Sequence, residues 1–204
     1  IVYVSSKRDH IAPSGGLLMT NDQTVFEKLK VLWELNEGIG IAARDIALIA
    51  RGIMESVDEY YLSSRIRQVQ DLGRQLANFG LPIFLPVGGH AVHLDVKKFL
   101  SHISSDAFPA QALAAAYYVD SGVRSMEMGS VALGIDPATQ KALYPKLEML
   151  RLAVPRRVYT QEHLEYAAFS LKKTWDTRHK IKGLKFVYEP GILRSFKARF
   201  APID

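Results

Sequence analysis

The sequence predicts an α/β chain that passes into α+β, and three observations carry that prediction. Apolar, β-branched runs such as "IVYV" interleave with stretches of helical periodicity, rather than collecting in separate blocks. The helical stretches carry stripes at steps of three and four, as in Ile66, Val69, Leu72, Leu76 and Phe79. Glycine and proline punctuate the boundaries, where chains turn. At 204 residues, 48% hydrophobic and 23% charged, the chain is ordinary globular material with length for one large domain or two small ones.

The elements follow in order. "IVYV" reads as a buried parallel strand, and "GGLLMTND" as a turn and a second short strand. A buried strand at position 1 needs neighbours, so the sequence is expected to be the back part of something longer. In "TVFEKLKVLWEL", Val25, Leu29, Leu32 and Trp33 have helical spacing, broken at Gly38 and Gly40. A long helical region from about 43 to 79 carries two stripes, first Ile46, Ile49 and Ile53, then the Ile66 series. Ser56 and Asp58 mark a change of direction between them, which predicts a domain boundary near Val57. Gly80 stops the second helix as a C′ residue does.

"PIFLPVGGHAVHLDV" reads as strand, turn, strand, with partial polar–apolar alternation from His90 to Asp95. "FPAQALAAAYYVDSG" is a helix with Pro109 in its first turn and Gly122 past its end. "VRSMEMGS" and "MLRLAVP" are strands, and "LGIDPATQKALYP" between them is a loop. Thr160 caps the last long helix, whose stripe is Leu164, Ala168, Leu171 and Trp175; Gly183 ends it. "LKFVYE" is a final strand before the tail.

Charge and composition exclude several classes. The net charge is +5, but basic residues are scattered and their runs are only pairs, such as Lys172–Lys173 and Arg156–Arg157. That argues against a nucleic-acid partner. There is no cysteine, hence no disulfide and no thiolate metal site, which fits a reducing, cytoplasmic setting. No stretch reaches membrane-spanning length and no signal peptide leads the chain, so no membrane partner is expected.

Three places carry candidate chemistry. Ser5, Ser6, Lys7, Arg8 and Asp9 follow a strand, and ligands in α/β folds collect at the carboxyl ends of strands. Hydroxyls with a cation suit a phosphate, and a lysine there can form a Schiff base; on these residues alone a solvated basic turn is the commoner outcome. "GGH" at 88–90 can bring backbone and imidazole to a ligand, although a hairpin turn accounts for it more simply. His90 and His93, three apart on a strand, are expected on opposite faces, against a shared metal. Arg151 lies inside the apolar strand "MLRLAVP" and needs an anionic partner, either a structural carboxylate or a substrate carboxylate.

Taken together, "SSKRD" with its following "GG", "PVGGHAVHLD", "FPAQALAAAYYVDSGVRSMEMGS", "LRLAVPRRVYTQEHL" and "GLKFVYEP…LRSF" resemble the C-terminal part of the tryptophanase and tyrosine phenol-lyase family, the β-eliminating lyases. The resemblance implies a fold-type I enzyme using pyridoxal 5′-phosphate (PLP). Such an enzyme splits an aromatic amino acid, such as tryptophan or tyrosine, into an aromatic leaving group, pyruvate and ammonia. It further implies activation by potassium and a homotetramer of dimers that share active sites. Residues 1–57 would be the end of the large PLP-binding domain, and residues 58–204 the small C-terminal domain.

Carried over residue by residue, the resemblance assigns Ser5 to the PLP phosphate and Lys7 to the first lysine of the family's basic pair, beside the cofactor. Arg8 stands at the second, the lysine that forms the Schiff base. Arg151 matches the arginine that holds the substrate α-carboxylate, which favours the substrate alternative for it. Pro13 falls where a backbone carbonyl helps bind the cation. Met128 stands where tyrosine phenol-lyases have an arginine near the phenol ring, and Ser195 where the branches carry phenylalanine or histidine. Met128 and "GSVALGIDP" tilt the resemblance towards tryptophanase.

The chain also departs from that pattern. Arginine stays protonated and forms no imine, and on an extended segment Lys7 would point away from the place of its neighbour. "EGIGIAARD" is shorter than its family equivalent, which carries a tyrosine and glycines lining the active site. The groups that stack on the PLP ring belong to the half not present. Three functions are therefore weighed: the C-terminal portion of a PLP lyase, a degenerate homologue that keeps only packing and assembly surfaces, and a protein in which Arg8 holds PLP as an anion.

Overall fold

A computed structural model describes every residue except 39, 137, 140, 192 and 204. Residues 39, 137 and 140, within the segments expected as loops, thus lie outside the described residues. The chain forms mixed α/β structure in two compact units, Ile1–Arg65 and Ile66–Asp204.

In the first unit, β1 (Val2–Ser5) pairs antiparallel with β2 (Gly16–Met19), in the register Val2↔Met19 to Ser5↔Gly16. Val2 and Tyr3 are exposed. The expectation of a buried parallel strand is corrected here. β-Branched composition fixes an extended backbone, but direction and burial depend on the neighbour, and Gly15, at φ +88°, returns the chain alongside β1.

Helix α1 (Gln23–Glu37) begins at Asp22, whose carboxylate accepts from the Val25 N–H at 3.0 Å. None of its residues is buried, and Phe26, Leu32 and Trp33 lie exposed. Helix α2 (Ala43–Ser56) buries Ile49 and Gly52. The break foreseen around Val57 is present: Asp58 accepts from the Tyr61 N–H at 2.9 Å and so opens α3 (Glu59–Asn78). The division between the compact units, after Arg65, falls within α3.

The second unit is built on a three-stranded antiparallel sheet of order β3 (Ala91–Asp95), β5 (Met149–Ala153), β4 (Met126–Met128). One face buries Val92, Leu94, Leu150 and Leu152 against three helices. These are the later turns of α3 through Val69, Leu72 and Leu76, α5 (Pro109–Ser121) through Leu113 and Tyr117, and α7 (Gln161–Asp176) through Leu164, Ala168 and Leu171. Each valine or leucine among them, fully buried, contributes about 1.5–3 kcal/mol of transfer free energy. Tyr117 donates its hydroxyl to the Ala167 carbonyl at 2.8 Å, and burial pushes its pKa upward. The α5 boundaries are as read: Pro109 opens it and Gly122, at φ +71°, closes it. Thr160 and His163 form a capping box at the start of α7.

Three features differ from the sequence reading. The first strand of "PIFLPVGGHAVHLDV" is reduced to one bridge, Ile83↔Leu94, because Pro82 and Pro86 have no N–H for a ladder. The loop at 133–145 contains a bridge, Ile135↔Ala142. Helix α7 stops at Thr177, well before Gly183, where the Thr177 hydroxyl turns back to the Lys173 carbonyl.

The tail is also structured. β6 (Leu184–Tyr188) pairs antiparallel with β7 (Arg199–Pro202), because Phe200 packs 4.8 Å from Phe186 and 5.6 Å from Phe108 in a second apolar cluster. Short helices that periodicity cannot reveal fill the remaining corners: α4 (Val96–Phe99), α6 (Ser130–Leu133) and α8 (Arg194–Lys197). No helix among the described residues is long and apolar enough to cross a membrane.

Candidate functional site

In the first unit, the candidate residues sit on the turn that leaves β1. The Ser5 carbonyl accepts from both the Arg8 and Asp9 N–H groups at 2.9 Å, and the Asp9 carboxylate accepts from the Ser5 N–H at 3.1 Å. Residues 6–9 are therefore a helical turn, and the expectation of an extended segment is corrected. Successive side chains in such a turn diverge by about 100° rather than pointing to opposite faces. Lys7 and Arg8 are both exposed, and Ser5 is half-buried.

Beneath them Ser6 is fully buried and shares a 3.1 Å hydrogen bond with His10 Nδ1. The loop is anchored from below, where the Ile11 N–H donates to the Gly52 carbonyl at 3.4 Å. Gly52 has to be glycine: a Cβ there would lie 2.8 Å from the carbonyl carbon and oxygen of Ile11. Pro13 is exposed on the same loop.

In the second unit, the sheet face turned away from the core carries the other candidates. Register places His93, Arg151 and Met126 in one row across the three strands, and Asp95, Met149 and Met128 in the next. Directly paired residues share a face. Arg151 and Met128 thus stand on one surface, one row apart. Arg151 is half-buried, with Nη1 3.9 Å from Met126 Sδ.

His93 is also half-buried. Burial first, then the charge of Arg151, then His90, hold its pKa below the ordinary imidazole value. His90 lies in the bend before β3, where strand alternation does not govern it, so the expectation that the two histidines oppose each other across a strand does not apply. Among the described residues no group of three or more His, Asp or Glu side chains could hold a metal ion.

Ser195 lies exposed on α8. That helix packs beside α6, which Gly129 alone separates from Met128. It is held by Arg194, whose guanidinium stands 4.6 Å over the Phe186 ring and whose Nε is 3.1 Å from Glu189.

Two carboxylates behind this face escaped the sequence reading. Glu127 and Glu148 are buried; Glu127 accepts from the Val131 and Ala132 N–H groups at 3.0 Å, and Glu148 accepts from the Ser130 hydroxyl and N–H. Burial is the main cause that raises the Glu127 pKa, and Glu148 adds to it; the backbone donors oppose both. The signal was available in "MEM": alternation puts Glu127 on the face opposite the two methionines, which is the core face.

Comparison with known proteins bears on this arrangement. The beta-eliminating lyase family model matches residues 1–170. The chain is 50% identical over 205 aligned positions to the tyrosine phenol-lyase of Symbiobacterium sp. strain SC-1, covering 98% of this chain and 45% of that protein. The tyrosine phenol-lyases of Pasteurella multocida and Nostoc punctiforme are 48% and 44% identical, over 98% and 97% of this chain and 44% and 43% of their own lengths. The chain thus spans less than half the length of these curated relatives. These relatives are tyrosine phenol-lyases, whereas Met128 tilted the sequence reading towards tryptophanase. On the strength of the match over most of its length, the chain belongs to the beta-eliminating lyase family.

Proposed function

We propose that this chain is the C-terminal, substrate-carboxylate-binding portion of a PLP-dependent carbon–carbon β-lyase of fold type I, acting on an aromatic amino acid. The observation that carries the reading is Arg151, held half-buried in the middle strand of the second-unit sheet, on the same face as Met128. A guanidinium on a rigid strand presents a fork that matches a carboxylate in geometry and charge. Met128 offers an apolar contact one row away, suited to an aromatic ring, and Ser195 offers a hydroxyl from α8.

The residues after β1 fit the anionic part of PLP. Ser5, Lys7 and Arg8 gather a hydroxyl and two exposed cations in one turn, which suits a phosphate monoester. They do not fit covalent attachment at position 8, because guanidinium keeps its proton and is a poor nucleophile. When bound, PLP supplies the electron sink that elimination at Cβ needs.

The same reading assigns residues 1–57 to the end of the large domain and 58–204 to the small one. It gives the Pro13 carbonyl to potassium and takes the protein to be a cytoplasmic homo-oligomer, a tetramer as in the family. The exposed Phe26, Leu32 and Trp33 of α1 support an assembled state.

Arg8 favours a second reading, a homologue that keeps packing and carboxylate recognition without covalent catalysis. One experiment separates the two. The chain is incubated with PLP and either L-tyrosine or L-tryptophan, pyruvate is followed, and a parallel sample is reduced with borohydride and mapped by peptide mass spectrometry. PLP mapped to Lys7 establishes the lyase reading, and a substrate that also releases pyruvate identifies the ring. Absence of covalent PLP, with a carboxylate still bound at Arg151, establishes the second reading.

A further inference from the structure

We propose that His93 is a second carboxylate-binding residue beside Arg151, and that it takes up a proton as the anion docks. The inference rests on the reading of Arg151 as the carboxylate receptor. The two residues are directly paired across β3 and β5, so they share a sheet face at one level, and both are half-buried rather than solvated. Cβ atoms of such a pair lie about 4.5–5.5 Å apart, within reach of both oxygens of one carboxylate.

The surroundings decide the state of the imidazole. Arg151 faces it from β5, and His90 stands by it from the preceding bend. Asp95, two positions on along β3, shares its face and is drawn to Lys98, 3.0 Å from it. Beyond β5, the row ends in Met126, which carries no charge. The segment that bridges to Leu94 contributes Ile83 and Phe84, also uncharged.

In the free protein His93 is therefore neutral near pH 7, because it is partly desolvated and faces a fixed cation. A carboxylate on Arg151 cancels that cation's field and offers the ring an acceptor. Both effects favour the imidazolium, so the anion and a proton bind together.

The test uses the full 204-residue chain with labelled histidine and follows each imidazole by NMR through a pH titration, with the His93 resonance assigned by its loss in His93→Gln. The probes are L-phenylalanine and, as the control without a carboxylate, L-phenylalaninamide. L-Phenylalanine is expected to raise the His93 midpoint by about one pH unit and to bind about tenfold more tightly with His93 protonated. The amide should do neither, and His93→Gln should bind with little pH dependence. Binding of L-phenylalanine that shifts the amide signals of residues 149–153 yet leaves the His93 midpoint unmoved overturns this proposal alone. If L-phenylalanine does not bind at these residues at all, the carboxylate reading of Arg151 falls, and this proposal with it.

Discussion

Glu148 closes directly over Gly129. A Cβ built on that glycine would meet the Glu148 Cδ at 2.8 Å and lie 3.0 Å from Glu127 Oε1. The glycine is the opening through which two buried carboxylates reach the N–H groups and hydroxyl of residues 130–132. Gly129→Ala should displace Glu148 from Ser130 and destabilise the second unit by about 1–3 kcal/mol, the range for an overpacked interior. Urea unfolding of the variant against the parent measures it, and an unchanged midpoint would rule out the tight approach.

The same pair predicts a pH dependence of stability. Burial, assisted by Glu148, lifts the Glu127 carboxyl above its ordinary value of 4.5. The folded state therefore holds this proton more tightly than the unfolded state. The resulting stabilisation is complete below about pH 4.5 and is lost as pH rises through the elevated folded value. Glu127→Gln removes this contribution, so the stability difference between parent and variant should drift against the parent as pH climbs from 4 to 8. A difference independent of pH across that range would contradict it.

Gly52 and Ile11 make the corresponding prediction for the first unit. Gly52→Ala places a methyl group against the Ile11 main chain, which cannot rotate aside as a side chain would. The variant should lose about 1–3 kcal/mol, together with hydrogen-exchange protection at the Ile11 amide, whose acceptor is the Gly52 carbonyl. Retained protection at that amide would show the contact to be looser than described.

Arg8→Lys restores an amine at the position where the family resemblance expects one. On its own it should not produce lyase activity in this chain, which spans less than half the length of the relatives it matches. A coupled pyruvate assay with L-tyrosine and with L-tryptophan checks this, and turnover by the variant with either substrate would refute it.

The sequence by itself determined the helices with strong periodicity and clear caps, such as α5 between Pro109 and Gly122 and α7 from Thr160, because those signals are local. It also supplied the family, through motifs running in order along the chain, and the identity of Arg8. Only tertiary structure decided that β1 runs antiparallel and exposed, that residues 6–9 form a turn, and that the tail returns as β7. It alone set His93 beside Arg151. The physical reason is the partner: caps and periodicity are set within one or two helical turns, whereas strand direction, register and burial depend on which distant segment pairs, from Ser5 with Gly16 to His93 with Arg151.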